Sequence, residues 1–510
     1  MNKETLVWGK YVVTRPGDEG APVLSDAAVF VRDGRVKEVG PYHSLRAKYP
    51  NARVIGDGTH LVMPGLVDAH SHCRGLAPWR AGIPYGQLEP WLHEVGFYPS
   101  LPPRLGALYS ALKHIRSGFT CLHYLPIPRY PLEEQERAMQ EAAEALVSSG
   151  LRIAFSVPVK DRNYVTYDDQ AFISSLPGRL RERLLRTLPK PGASFIDEFV
   201  DLAASFARSY RGDRFRVMLG PVGPQWCSEQ LLMAVADLAE RLDTRIHMHT
   251  LQTPLQRAWG YRQHKDGLIS YLADLGLLGP RLTLGHAVWL SERDIERMGE
   301  NGVSVTHHAG CNLNMRNGIA PANALLARGV TVAMGLDDKP FDEQEDGFQE
   351  MKLILLLHRV NDHRLGAGCI DEYAVLRMAT ESGAEVLDYA GQCGRLEPDC
   401  FADMILLDPA PLLQPWLAPE VDIRTALLYA GNAELVRTVL VGGEVVMEDG
   451  RVVTFDEEAL EAEVREHLQQ VRRDPEAERL WAELREHFLR FYSNWELPSG
   501  RPFYLFNSRE

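Results

Sequence analysis

Two histidines one residue apart, His70 and His72, follow an apolar run from Thr59 to Val67 in this chain of 510 residues. The run reads as one buried β-strand, and alternation along it puts both imidazoles on the same side, with Ser71 opposite. Paired imidazoles at the end of a strand are half of a metal site. More candidates stand at the ends of other apolar runs: Ile246-His247-Met248-His249, Gly285-His286-Ala287, Thr306-His307-His308 and Gly335-Leu336-Asp337-Asp338. Three histidines and one aspartate make an N₃O donor set of the kind that holds Zn²⁺ and leaves a position for water. A metal bound in this way brings the pKa of its water towards ~7, so hydroxide becomes available at neutral pH. Asp337 can bind the ion through one oxygen and take the water's proton with the other. His286 can hydrogen-bond that water or the oxyanion that develops.

These residues need a scaffold that brings distant strand ends together. Strand-like runs recur at Thr120–Tyr124, Arg152–Val157, Arg214–Leu219, Thr244–His249, Leu282–His286, Val303–His307 and Thr331–Leu336, with helical patterns such as Glu229–Arg241 and Glu292–Glu300 between them. Repeated strand-helix alternation implies parallel strands with crossover helices. Eight such units close a (β/α)₈ TIM barrel, whose chemistry sits at the C-terminal ends of the strands, where the histidines fall. Hairpin patterns flank the barrel on both sides: Ala27–Val39 turns at Asp33-Gly34, and Val439–Val453 turns at Gly442-Gly443. The expectation is therefore an α/β chain with residues 1–60 and 396–455 forming a small β-sandwich from both termini. The barrel spans 61–395, and a helical C-terminal extension spans 456–510. Two segments interrupt the alternation, Arg74–Pro103 and Asp161–Ser194, and both are candidate lids or pocket walls. Trp79, Tyr85 and Trp91 in the first suggest a flat or apolar substrate part. An aromatic tail, Arg501 to Phe506, closes the chain.

Composition narrows the function. The chain is 45% hydrophobic and 24% charged, as soluble globular proteins are, and its formal charge of −14 argues against nucleic-acid or anionic-membrane partners. No apolar core follows Met1-Asn2-Lys3-Glu4-Thr5, and no run of 18 apolar residues occurs, so neither a secretion signal nor a spanning helix is expected. Seven scattered cysteines without CxxC spacing fit free thiols in a reducing cytoplasm.

The motifs together resemble the amidohydrolase superfamily, in particular its triazine-hydrolase and deaminase branch, over roughly residues 5–455. Pro64-Gly65-Leu66-Val67-Asp68-Ala69-His70-Ser71-His72 is similar to the branch's PG-[FL]-[VI]-[ND]-x-H-x-H, and Gly285-His286-Ala287-Val288-Trp289-Leu290 to its AHCxxL. Thr306-His307-His308-Ala309-Gly310-Cys311-Asn312 stands where SHNPxSN is usual, and Gly335-Leu336-Asp337-Asp338 replaces GTDG. The resemblance implies one divalent metal on His70, His72, His249 and Asp337. Zn²⁺ is the expected ion, with Fe²⁺, Mn²⁺ or Co²⁺ as alternatives. It implies catalytic roles for Asp337 and His286. The residues expected at the substrate are Gln252, His286, His307, His308, Trp79 and Asn312, of which Trp79 comes from the aromatic segment after the first strand. It also implies a small-molecule substrate and a homodimer or homotetramer.

Three departures shape the functional expectation. Family deaminases carry His-x-x-Glu on the fifth strand, where the Glu shuttles protons; here His249-Thr250-Leu251-Gln252 stands, and an amide cannot shuttle a proton. Val222 occupies a place where many relatives have His, and His308 is an extra imidazole. No lysine lies in Arg214–Gln225, which argues for one metal and not two. The sequence therefore points first to a mononuclear hydrolase in which metal-bound hydroxide attacks an sp² carbon of an amide, urea or cyclic amide. The alternative is a deaminase of a purine-, pterin- or triazine-like ring, with Asp338, Glu343 or His308 in place of the missing acid. A third reading is an inactive scaffold.

Overall fold

The computed structural model describes residues 4–97, 100–338, 343–359 and 368–499; the aromatic tail lies outside them. The chain begins with β1 (Glu4–Val13), β2 (Val23–Arg32), β3 (Arg35–Pro41), β4 (Arg53–Ile55) and β5 (Leu61–Pro64). β2 and β3 form a hairpin around Asp33 (φ 51°) and Gly34 (φ 77°), the positive-φ pair that matches the strands' right-handed twist.

Gly65 divides the run that reads as one strand. β5 pairs with β1 and, antiparallel, with a strand from the other end of the chain, whereas β6 (Leu66–Asp68) opens the barrel. The single strand expected over Thr59–Val67 is thus two strands in two sheets. The physical reason is crowding: a Cβ at Gly65 would sit 2.1 Å from Thr120 Cγ2, so only glycine lets the chain pass there.

Seven more strands follow: β7 (Phe119–Tyr124), β8 (Arg152–Val159), β9 (Phe215–Pro221), β10 (Ile246–Thr250), β11 (Leu282–His286), β12 (Ser304–His307) and β13 (Val332–Met334). With β6 they form an eight-stranded parallel sheet in sequence order. The Ala69 N–H donates to Met334 O (2.9 Å) and the Asp337 N–H to His70 O (2.8 Å), which joins the first strand to the last. Crossover helices cover the outside. In Glu229–Leu242, capped by the Ser228 side chain on Leu231 N, the buried Leu231, Leu232, Val235, Leu238 and Ala239 make one apolar stripe against the sheet.

β14 (Met404–Leu407), β15 (Val436–Val441), β16 (Glu444–Glu448) and β17 (Arg451–Val452) complete a nine-stranded sheet with β1–β5, so both ends of the chain share it. Helices Glu457–Gln470 and Pro475–Ser493 form the extension. The second buries Trp481, Leu484, Phe488 and Tyr492, spaced three and four apart on one face. That face packs on helix Leu88–Glu94, where the His93 ring stacks on Trp481 at 4.4 Å. Among the described residues no helix is long and apolar enough to cross a membrane.

Candidate metal centre

Hydrogen bonds to two carboxylates set the backbone around the site. Asp68 is fully buried at the end of β6; its Oδ1 accepts the N–H of His70 (3.1 Å) and of Leu336 (3.0 Å), which holds the first and last strand ends side by side. Asp68 Oδ2 lies 2.8 Å from His114 Nε2, and Glu345 Oε2 lies 2.8 Å from His114 Nδ1. Burial opposes charge on His114, but the flanking Glu345 and Asp68 carboxylates prevail and raise its pKa to about 10. Asp338 works in the same way on the loop after His70. Its Oδ1 accepts Ser71 Oγ–H (2.7 Å) and the Cys73 N–H (3.1 Å), and its Oδ2 accepts the Arg74 N–H (3.2 Å). His286 (φ 71°), Asp337 (φ 56°), Asp338 (φ 52°) and Cys73 (φ 48°) all adopt left-handed backbone, a strain that packing sustains and that gathers at functional sites.

On this frame four side chains converge. Asp337 Oδ1 lies 3.1 Å from His72 Nε2 and 3.5 Å from His70 Nε2, and His249 Nε2 lies 3.3 Å from His72 Nε2. Nitrogen and oxygen ligands about 2.0–2.1 Å from one tetrahedral centre stand roughly 3.3–3.4 Å apart, so the spacing suits a single ion. His70 Nε2 is buried and has no hydrogen-bond partner, as expected of an atom whose partner is a metal. The opposite ring nitrogens are held by acceptors: His72 Nδ1 by Leu125 O, His249 Nδ1 by Val222 O and His70 Nδ1 by His247 Nε2, each at 2.7 Å. Each bond fixes the tautomer that leaves Nε2 free to ligate. Burial lowers the pKa of His70 and drops that of His249 well below the usual histidine range, which keeps both imidazoles neutral. The residues therefore fit a divalent metal with N₃O ligation. The other Asp337 oxygen faces elsewhere: Oδ2 accepts from Cys311 Sγ (2.8 Å) and stands 3.7 Å from His286 Nε2.

The site opens into a cleft of about 470 Å³ whose walls include His72, His249, His286, Asp337 and Gln252. Trp91 and Glu89 from the segment after β6, Tyr164 and Tyr167 from the segment after β8, and Tyr492 from the C-terminal helix add the outer wall. A volume in this range suits a drug-sized molecule.

Four residues expected at the substrate stand elsewhere. His307 turns away from the cluster, and its Nε2 lies 2.9 Å from His358 Nε2 in the helical layer. His308 lies beneath the ligands, stacked on the His70 ring at 4.3 Å, with Nε2 2.9 Å from Thr306 Oγ1. Both are fully buried and neither lines the cleft. The strand ends at His307 and the chain turns straight into a helix at Ala309, so simple alternation does not carry across His308. Asn312 stands behind His286, where its Oδ1 accepts from His286 Nδ1 (3.0 Å) and from Asn317 Nδ2 (3.2 Å). Trp79 is 47% exposed and lines a separate cavity of about 260 Å³, because the turn Pro78–Ala81 carries it away from the metal side. The acids considered as replacements for Glu are placed elsewhere too: Asp338 is committed to backbone N–H groups, and Glu343 lines the smaller cavity.

Sequence reasoning passed over Glu89, Cys311 and His247. Glu89 Oε1 accepts from Thr253 Oγ1 (2.5 Å) and Tyr167 OH (3.0 Å), and burial raises its pKa. It sits on a short helix with no motif to mark it. His247 had a signal: it precedes His249 by two, so it shares the inward face of β10 one layer deeper. Below it the barrel interior holds His123, 2.8 Å from Ser156 Oγ, where aliphatic layers are usual.

A parallel barrel with three imidazoles and a carboxylate at the C-terminal ends of its strands defines a metal-dependent hydrolase of the barrel type. Residues 61–446 match the amidohydrolase family, and the chain belongs to it. A short stretch, 27–52, matches the imidazolonepropionase-like composite domain of bacteria. The chain is 32% identical over 475 residues to a 5-methylthioadenosine/S-adenosylhomocysteine deaminase of Nitratidesulfovibrio vulgaris, covering 91% of this chain and 96% of that one. It is 31% identical over 465 residues to a 5'-deoxyadenosine deaminase of Methanosarcina barkeri, covering 89% and 95%. Its fold is shared with an adenosine deaminase from Xanthomonas campestris with bound zinc, at 24% identity, a TM-score of 0.74 and coverage of 91% and 98%. The chain is thus a metal-dependent enzyme of carbon–nitrogen hydrolysis.

Proposed function

We propose that this enzyme is a hydrolytic deaminase of an adenine-type nucleoside, with one Zn²⁺ held by His70, His72, His249 and Asp337. The observation that carries the reading is the convergence of those four ligand atoms at the floor of a cleft that also exposes His286 and Gln252. Full-length similarity to deaminases of adenine nucleosides supports the substrate class.

The bound ion supplies Lewis-acid chemistry that makes water acidic at neutral pH. His286 Nδ1–H donates to Asn312 Oδ1, so Nε2 carries no proton and accepts a hydrogen bond from the attacking water. Asp337 Oδ2 lies next to His286 Nε2 and takes the water's proton. Oxygen bonds to the ring carbon, Asp337 returns the proton to the departing nitrogen as the C–NH₂ bond breaks, and the proton left on the new hydroxyl moves to the adjacent ring nitrogen, so water and substrate become a ring carbonyl and ammonia. Gln252 offers an amide donor and acceptor and orients the ring without moving a proton. Asp337 therefore carries both transfers. The cysteines all stand unbridged among the described residues, which supports a reducing compartment, the cytoplasm.

The test is ammonia release by Zn²⁺-loaded protein from adenosine, 5'-deoxyadenosine, methylthioadenosine and S-adenosylhomocysteine. Stoichiometric ammonia from at least one supports the reading; none from the whole series overturns it. Gln252 favours a second reading, cleavage of an amide, urea or cyclic amide whose leaving group needs no acid at that position. The same protein screened on those compounds decides between the two.

A further inference from the structure

The cleft contains a cation that nothing in the catalytic scheme uses. Lys160 follows the last residue of β8, at the C-terminal mouth of the barrel, and lines the same cleft as the metal ligands. Among the described residues no carboxylate comes within 4.0 Å of its ammonium. Asp169 is the acid whose charge acts on it most, but Asp169 is already engaged: its carboxylate accepts the N–H groups of Tyr164 (2.6 Å), Val165 (3.0 Å) and Thr166 (2.6 Å). The contact Lys160 does make is with a π face, its Nζ 5.0 Å from the Tyr164 ring centroid. Burial lowers its pKa and the Asp169 charge opposes that shift, while the residue itself is half-buried in the cleft wall. A half-buried ammonium in the cleft wall with no carboxylate paired to it leaves that place for an anion carried by the ligand.

The surroundings give that anion a place. The cleft volume of about 470 Å³ accommodates a molecule with a substituent as well as a ring. Its outer wall is closed by Tyr492, whose hydroxyl accepts the Tyr167 N–H at 2.9 Å. Tyr492 lies in the C-terminal helix, beyond residue 446 where the family match ends.

We propose that Lys160 anchors an acidic group, a carboxylate or a phosphate, that the substrate carries away from the carbon under attack. This rests on the reading of the enzyme as a nucleoside deaminase. It adds that the preferred nucleosides bear an anion on the substituent that reaches the outer cleft.

The experiment compares Lys160→Met, which keeps the stem and removes the charge, with Lys160→Arg, which keeps a charge. Three probes are used: S-adenosylhomocysteine for the carboxylate, adenosine 5'-monophosphate for the phosphate, and methylthioadenosine as the neutral reference. The readouts are kcat and KM for each and, independently of turnover, calorimetric binding. The expected result is a fall of roughly tenfold or more in the ratio of kcat/KM for one acidic probe to that for the neutral one in Lys160→Met, carried by KM, with Lys160→Arg retaining most of it. Which acidic probe suffers identifies the group. Wild-type protein that binds neither acidic probe better than the neutral one overturns the proposal, as does a Lys160→Met effect equal on all three. If none of these three probes is turned over, the binding ratios still decide the role of Lys160, and the deaminase reading is decided by the wider nucleoside series.

Discussion

Asp337 presents its two oxygens to different partners, Oδ1 to His70 and His72, Oδ2 to Cys311 and His286. That division is what a single carboxylate needs to ligate and to move protons. Asp337→Asn keeps the shape and loses the base, so kcat should fall by about 10²–10⁴-fold or more while the melting curve keeps its cooperativity. Residual activity near wild type would remove Asp337 from the proton path. Gln252 poses the complementary test. Gln252→Glu places an acid beside the ligands, and if a leaving amine is being protonated there, deamination should rise several-fold and the pH profile should gain a limb. An unchanged rate and profile would mean that position 252 does not face the leaving group.

The ends of β6 and β13 are tied by Asp68, and Asp68 is tied to His114 on the helix Pro103–Arg116. His114 has a folded pKa of about 10, above its ordinary value near 6.5, because two carboxylates flank it. A group whose pKa is raised on folding contributes stability that is complete below the unfolded value and declines as pH rises towards the folded one. Urea unfolding should therefore show stability falling between about pH 6.5 and pH 10. His114→Gln should be less stable than wild type at pH 6, with the gap closing by pH 10.5. A gap that stays constant with pH would mean that His114 is neutral in the folded protein.

The molecule joins a catalytic barrel to a sheet built from both termini and a helical extension that reaches back to the cleft. A metal at the junction of first and last strands is bound by the folded state alone, so it links binding to global stability. Dialysis against a strong chelator should abolish turnover and lower the melting temperature by at least ~2 °C, and Zn²⁺ should restore both. A melting temperature indifferent to metal would mean that the four ligands do not hold an ion tightly.

Much of this was legible in the chain alone. Strand-helix alternation and histidines at the ends of apolar runs follow from local periodicity, which depends on a few neighbouring residues. That is why the histidines and Asp337 could be placed at strand ends before any contact was known, and why the helix Glu229–Leu242 falls within a residue of its sequence pattern. The choice of His70, His72, His249 and Asp337 among them comes from the resemblance to the amidohydrolase superfamily. Where the local pattern ended, the sequence no longer distinguished the choices. His307 and His308 are adjacent, and where the strand ends at His307 and the helix begins at Ala309 one ring meets His358 and the other stacks on His70. Gly65 breaks its strand because Thr120, 55 residues later, occupies the space of a side chain. Glu89 gains its meaning from Thr253, 164 residues away, Cys311 from Asp337, 26 residues away, and Lys160 from the lack of a paired carboxylate; such juxtaposition is set by burying the whole core at once.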